Sequence, residues 1–321
     1  MFLAQANKQE NHFFKYVIGF IIVIAAMFLG YLPFGMAIAI KSMTTGKPAP
    51  VTEVEMMRYL DLNLGLFLLL LSFAVALLAL FLVVKGIHKQ HFKEIITSRP
   101  KIDWNRFFFA FLIWFVFSAG TIVLMYFIEP ENYVLQFRLQ PFLLLAAIAI
   151  VMIPVQTSLE ELLFRGYLMQ GFGLLARNRW VPLVITSVGF GVLHLANPEV
   201  DKMGYIIAFY YIGTGLFLGI VTLMDEGTEL PLGFHAANNV TAALLITSDW
   251  SAFQTHSIFK DISEPSAGWD IFIPLFVIYP LLLLIFGRKY KWHSWKEKLT
   301  GKIKPITIPD TNQSYTGYEQ S

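Results

Sequence analysis

Apolar residues in this chain come in long blocks rather than in alternation, and most of the blocks are about as long as a bilayer is thick. Hydropathy marks eight of them, at 16–40, 60–84, 107–128, 141–159, 180–196, 203–224, 231–248 and 269–286. A helix rises 1.5 Å per residue, so about 20 apolar residues span a hydrocarbon core of ~30 Å. The fifth and seventh blocks are the shorter ones and carry polar residues. The first follows Lys8 and Lys15, as the core of a secretion signal would. It runs on to about Ile40, however, and no small-residue cleavage site follows it. It reads as the first span, with a kink expected at Pro33.

Composition agrees with the pattern. Of 321 residues, 56% are hydrophobic and only 14% charged, where a soluble domain carries roughly 25% charge. The expected fold is an all-α polytopic membrane protein of about eight transmembrane helices, with the lipid bilayer as one partner and no nucleic acid as another. The absence of cysteine excludes disulfides, thiol catalysis and thiolate metal sites.

The net charge of +2 matters less than where the charges fall. Lys85, Lys89, Lys93, Arg99, Lys101 and Arg106 cluster after the second block, Arg177 and Arg179 after the fourth, and seven more Lys and Arg after 287. With eight spans all three segments lie on one side, which the positive-inside rule makes cytoplasmic together with both termini. The 129–140 and 249–268 loops, poor in Lys and Arg, fall outside; Lys41, Lys47 and Arg58 in the 41–59 loop dissent. Tyr126, Tyr133, Trp250 and Trp269 stand near the outer boundaries, as interfacial aromatics do. Gly215-x-x-x-Gly219 reads either as a helix-packing motif or as ordinary membrane-helix glycine. There is no internal repeat, and no organelle signal is recognisable, so a prokaryotic plasma membrane is expected.

Seven histidines remain to be placed. His12, His88, His91, His256 and His293 fall in predicted loops or tails and are expected to be solvated. His194 and His235 lie inside predicted spans, where a polar side chain is costly and faces a protein interior or a cavity. The stretch EELLFRG, residues 160–166, follows the fourth block directly. Glu161 and Arg165 are four apart and share a helix face, so they can pair, while Glu160 points about 100° away. Phe190 and His194 are also four apart, which sets a ring beside the imidazole; His235 and Asn239 repeat that spacing.

A carboxylate, two imidazoles and an amide drawn from three spans suit hydrolysis of a peptide bond by activated water. Glu160 is the candidate general base. His235 and Asn239 are candidate donors to the developing oxyanion, and His194 positions the water or assists them. Arg165 would hold Glu161, which would orient the rest. The plain alternative is that Glu160 and Glu161, at the end of span four, only reach out to water. Competing sites are absent: there is no His-Glu-x-x-His, Gly-x-Ser-x-Gly, Gly-x-Ser-Gly or Gly-x-Gly-Asp.

At these residues the chain resembles the CPBP family (CAAX proteases and bacteriocin-processing enzymes, also called Abi), which includes the type II CAAX prenyl endopeptidases. The family pattern is Glu-Glu-x-x-x-Arg, then Phe-x-x-x-His, then His-x-x-x-Asn. It is met by Glu160, Glu161 and Arg165, by Phe190 and His194, and by His235 and Asn239. The resemblance covers roughly 140–250 and implies an intramembrane endopeptidase core on spans four to seven. On that reading 1–139 is an N-terminal three-span region, 140–250 the peptidase core, 251–287 the final span, and 288–321 a basic tail that becomes disordered from 307. The resemblance implies catalysis by Glu160, His194, His235 and Asn239 without a cofactor, with a zinc ion on Glu160, His194 and His235 as the alternative. Its substrate would be a membrane-associated peptide or lipidated protein, approached from the cytoplasmic side. Two other classes compete: a non-catalytic partner-binding protein, as in bacteriocin self-immunity or signalling regulation, and a transporter, which the lack of two symmetric halves disfavours.

Overall fold

The structure, a computed structural model, describes residues 1–7, 11–265 and 268–303; the polar stretch from 307 lies outside them. The helices and strands follow in the order α1 (Phe13–Thr45), α2 (Glu53–Tyr59), α3 (Leu62–Gly86), α4 (Trp104–Ile128), β1 (Tyr133–Leu135) and α5 (Leu139–Glu161). A π-helical segment, Leu162–Leu168, joins α5 to α6 (Met169–Ala176). Then come α7 (Trp180–Leu193), α8 (Glu199–Met203), α9 (Ile207–Asp225), α10 (Glu229–Leu245), β2 (Ile246–Ser248) and β3 (Phe259–Asp261). A second π segment, Pro274–Ile278, links α11 (Trp269–Ile273) to α12 (Tyr279–Lys289), and α13 (Trp295–Thr300) follows.

The protein is an all-α polytopic membrane protein. Each of the eight predicted blocks corresponds to a helix. Among the described residues, six helical runs are long and apolar enough to cross a membrane: α1, α3, α4, the continuous run Leu139–Ala176, α9 and Ile271–Lys289. The blocks at 180–196 and 231–248 became the 14-residue α7 and the 17-residue α10, which fall short of that length. The first block runs through Pro33 as a single 33-residue helix. Asp61 and Asp103 begin α3 and α4 by accepting the free backbone N–H groups of the first turn. The outward surfaces carry Phe28, Leu112, Phe127, Ile150 and Leu281, an apolar exterior that only lipid tolerates.

Two faces terminate the bundle. On one, Phe2 and Leu3 pack with Met169, Leu183, Leu223 and Ile303, so the two ends of the described chain meet. The Lys- and Arg-rich loop after α3 lies there too, where Arg99 pairs with Asp225 at 2.7 Å and Glu229 at 3.0 Å, and Arg106 with Asp225 at 2.9 Å. This is the basic face. On the opposite face α2 sits near a small sheet of order β1-β3-β2, antiparallel between β1 and β3 and parallel between β2 and β3. The sheet joins the 129–140 and 249–268 loops to the end of the seventh block, and Tyr126 packs against Phe259 on it.

Two residue-level expectations changed. His88, expected in solvent, is buried between Asn11 at 3.0 Å and the Tyr167 hydroxyl at 2.8 Å. Gly215 and Gly219 are a packing motif: a Cβ on Gly215 would stand 2.8 Å from the Ser187 carbonyl, and one on Gly219 2.5 Å from the Leu183 side chain. The missing side chains let α9 lie directly on α7, which carries His194 at its end.

Candidate active site

Glu160 and Glu161 do not end a span. The helix continues through the π segment to Ala176, leaving Glu160 roughly 24 Å along the helix from that end. His194 lies at a comparable depth, roughly 20 Å from the start of α7 at Trp180. The sequence reads as a span end because three ionisable groups follow Leu159. The helix tolerates them because each finds a partner inside the protein.

Arg165 and Glu161, both without solvent exposure, pair at 2.8 Å. The same Glu161 oxygen stands 2.8 Å from His235 Nδ1. A carboxylate already paired with arginine can only accept there, so His235 donates from Nδ1 and turns Nε2 toward the site. That nitrogen lies 3.5 Å from Glu160 Oε2, an oxygen with no hydrogen-bond partner among the described residues. The Arg165 guanidinium lies 4.2 Å over the Phe190 ring, and His194 stacks obliquely on the same ring at 4.2 Å. His194 Nδ1 is 2.7 Å from the Phe190 carbonyl, which can only accept, so Nε2 is left as the free acceptor. Tyr211 flanks the imidazole on its other side, 4.9 Å between ring centres.

The other oxygen of Glu160 belongs to a chain of amides. Gln156 Nε2 donates to Glu160 Oε1 at 2.6 Å, and Asn239 Nδ2 donates to Gln156 Oε1 at 3.0 Å. Asn238 Nδ2 donates to Asn239 Oδ1 at 3.0 Å, and Trp114 Nε1 to Asn238 Oδ1 at 3.1 Å. The chain runs from α4 through α10 to α5 and fixes the Glu160 rotamer. Asn239 spends one amide hydrogen on it and keeps one. Gln156, Asn238, Trp114 and Tyr211 were absent from the sequence reading. Gln156 stands four residues before Glu160, on the same helix face, and Asn238 lies within HAANN, so both had a sequence signal. Trp114 and Tyr211 had none, being brought in by packing alone.

All four catalytic candidates line one cavity of about 650 Å³: Glu160, His194, His235 and Asn239. His194 and His235 are each held through Nδ1 by a fixed acceptor, which leaves both Nε2 atoms free; among the described residues no three His, Cys, Asp or Glu side chains group so as to hold a metal ion.

The segment that carries this geometry can be compared with known proteins. Residues 139–241 match the family model described as type II CAAX prenyl endopeptidase Rce1-like. In this segment the chain is similar to that family. The match begins at the first residue of α5 and ends just past Asn239, so it takes in the three motifs and the amide chain apart from Trp114. The likeness of this segment is to a CAAX-protease kind of membrane protein. Over almost its full length the chain is similar to a protein of Bacillus subtilis (strain 168) named uncharacterized protein YyaK, 28% identical over 290 residues, 90% of this chain and 95% of that one. No solved structure matches it.

Proposed function

We propose that the protein is an intramembrane endopeptidase that hydrolyses a peptide bond of a membrane-associated or lipidated peptide with water activated by Glu160. The observation that carries this reading is the unpartnered Glu160 Oε2, buried in the cavity and facing His235 Nε2 at 3.5 Å. One oxygen of the carboxylate is held by Gln156, and the other has no hydrogen-bond partner among the described residues.

The atoms divide the work as follows. Glu160 takes a proton from the attacking water while His194 Nε2 accepts that water's second hydrogen and fixes its direction. With its Nδ1 hydrogen given to Glu161, His235 donates from Nε2 only as an imidazolium. The Glu161 carboxylate supports that charged form as the carbonyl oxygen becomes an oxyanion. The remaining Asn239 amide hydrogen is a second donor. Collapse of the tetrahedral intermediate breaks the C–N bond, and Glu160 passes its proton to the leaving amine. Every group used belongs to the protein itself, and we propose that neither zinc nor another cofactor takes part. The basic face is proposed to be cytoplasmic, as the loop charges imply, and the membrane to be a prokaryotic plasma membrane.

The test is cleavage of a membrane-peptide library by purified protein, with Glu160→Ala and chelator-treated wild type alongside. Cleavage by wild type, none by Glu160→Ala and no effect of chelator is the expected pattern. Loss with chelator and recovery with zinc would replace the mechanism by a metal-dependent one. Binding of a partner without cleavage of any library member would favour the immunity or regulatory role instead.

A further inference from the structure

We propose that substrate reaches Glu160 from the face opposite the basic loops and the chain ends, so the peptide presents its scissile segment on the outer side of the membrane. The proposal rests on the peptidase reading and reverses the cytoplasmic approach that the sequence suggests.

The cavity extends in one direction only. From α1 it takes Tyr31, in the half of the helix remote from the basic face, and from α9 it takes Tyr210, near the start at the sheet-bearing end. Along α10 it continues past His235 to Ala242 and beyond, and at its far end it is bordered by the loop with Trp250, Ser251 and Ala252 that follows β2. Those loop residues belong to the face that carries the sheet. The Ala252 N–H donates to Glu199 Oε1 at 2.8 Å, tying together two of the segments that line the opening.

Toward the basic face the path is closed. One helical turn beyond Glu160 stand Leu162, Leu163 and the fully buried Arg165. Gly166 lies so close to the loop after α3 that a Cβ on it would be 2.4 Å from the Ile95 carbonyl oxygen. Glu229 and Leu230 at the start of α10 are buried, and Gly233 abuts α4 with a Cβ position 2.1 Å from the Phe107 carbonyl oxygen. Interiors packed at this density pass neither water nor peptide. The walls of the route mix aromatic and aliphatic side chains such as Tyr31, Leu69 and Phe73 with polar ones such as Asn197, Thr247 and Ser248, which suits a peptide that partitions from the outer leaflet while its backbone is hydrogen-bonded.

The chain contains no cysteine, so single cysteines can report sidedness without a background. Ala242→Cys places a thiol inside the cavity, Ser251→Cys one at its mouth and Lys296→Cys one on the exposed basic face. Each is treated with a permanently charged, membrane-impermeant methanethiosulfonate in sealed cells and in inverted vesicles. The expected result is that Ala242→Cys and Ser251→Cys react in sealed cells while Lys296→Cys reacts only in inverted vesicles, and that modified Ala242→Cys loses cleavage. Reaction of Ala242→Cys only from the side that modifies Lys296→Cys would overturn the proposal, and so would protection of Ala242→Cys from both sides. Labelling needs no activity: outer-side labelling in a protein that cleaves nothing would sink the peptidase reading and leave the route standing.

Discussion

Glu161 accepts from Arg165 and from His235 through one oxygen, at 2.8 Å each, with no exposure to solvent. Two charges taken from water repay their desolvation only when both stay in place. Arg165→Met therefore strands a buried carboxylate and is expected to lower stability by about 3–5 kcal/mol. Arg165→Met with Glu161→Gln removes both charges and should recover most of that loss, read as unfolding midpoints in detergent. Equal destabilisation in the single and double variants would show that the pair is not coupled as described. At this scale the sequence was most legible. The i,i+4 offsets in Glu161–Arg165, Phe190–His194 and His235–Asn239 put the right groups on shared faces, because a helix forces that spacing into contact. Glu160 and Asn239 were placed without their connection, since the Gln156 amide that joins them looks like an ordinary polar residue until α5 and α10 are brought together.

Among the elements, α7 and α9 set the position of His194. Their separation is fixed where Gly215 meets the Ser187 carbonyl. Gly215→Leu must push the helices apart, at about 1–3 kcal/mol of stability. A displacement of about 1 Å at His194 is enough to cost roughly a hundredfold in rate. Gly120→Leu, whose Cβ meets nothing within 4 Å, is the matched control and should leave both quantities unchanged. Equal cleavage rates for the two variants would refute the role given to this contact. Element boundaries were less legible than side-chain faces. Hydropathy ends span four at 159 because Glu160, Glu161 and Arg165 count as polar, although the helix runs to Ala176 with Glu161 and Arg165 paired and Glu160 hydrogen-bonded to Gln156. The three-residue strands of the small sheet are too short for alternation to register.

For the molecule as a whole, the junction of the chain's start, the end of α3 and the π segment rests on His88, held between Asn11 and Tyr167. Burial, reinforced by the nearby positive charge of Lys15, brings the His88 pKa down from 6.5 to about 4. The neutral ring is at no disadvantage above pH 6.5. As pH falls from 6.5 to about 4 the unfolded chain takes up a proton that the folded one refuses, so stability is lost across that window. His88→Gln should be less stable than wild type at pH 7, yet its midpoint should vary less between pH 6.5 and 4. A wild-type midpoint that holds constant over the window would contradict this account. Nothing in the sequence separates His88 from the solvated histidines, because its burial is made by segments 77 and 79 positions away. The direction in which the cavity leads was equally invisible, being a property of how the helices close on one side.

The central claim is that the Glu160 carboxylate activates water, and Glu160→Gln tests it most directly. The substitution keeps the size of the side chain and an oxygen for the Gln156 amide while removing the base. Cleavage of a peptide that wild type cuts, followed in single turnovers at matched folded protein, should fall by about 10²–10⁴-fold in Glu160→Gln with the unfolding midpoint preserved. Cleavage at the wild-type rate would contradict the account and remove Glu160 from the chemistry.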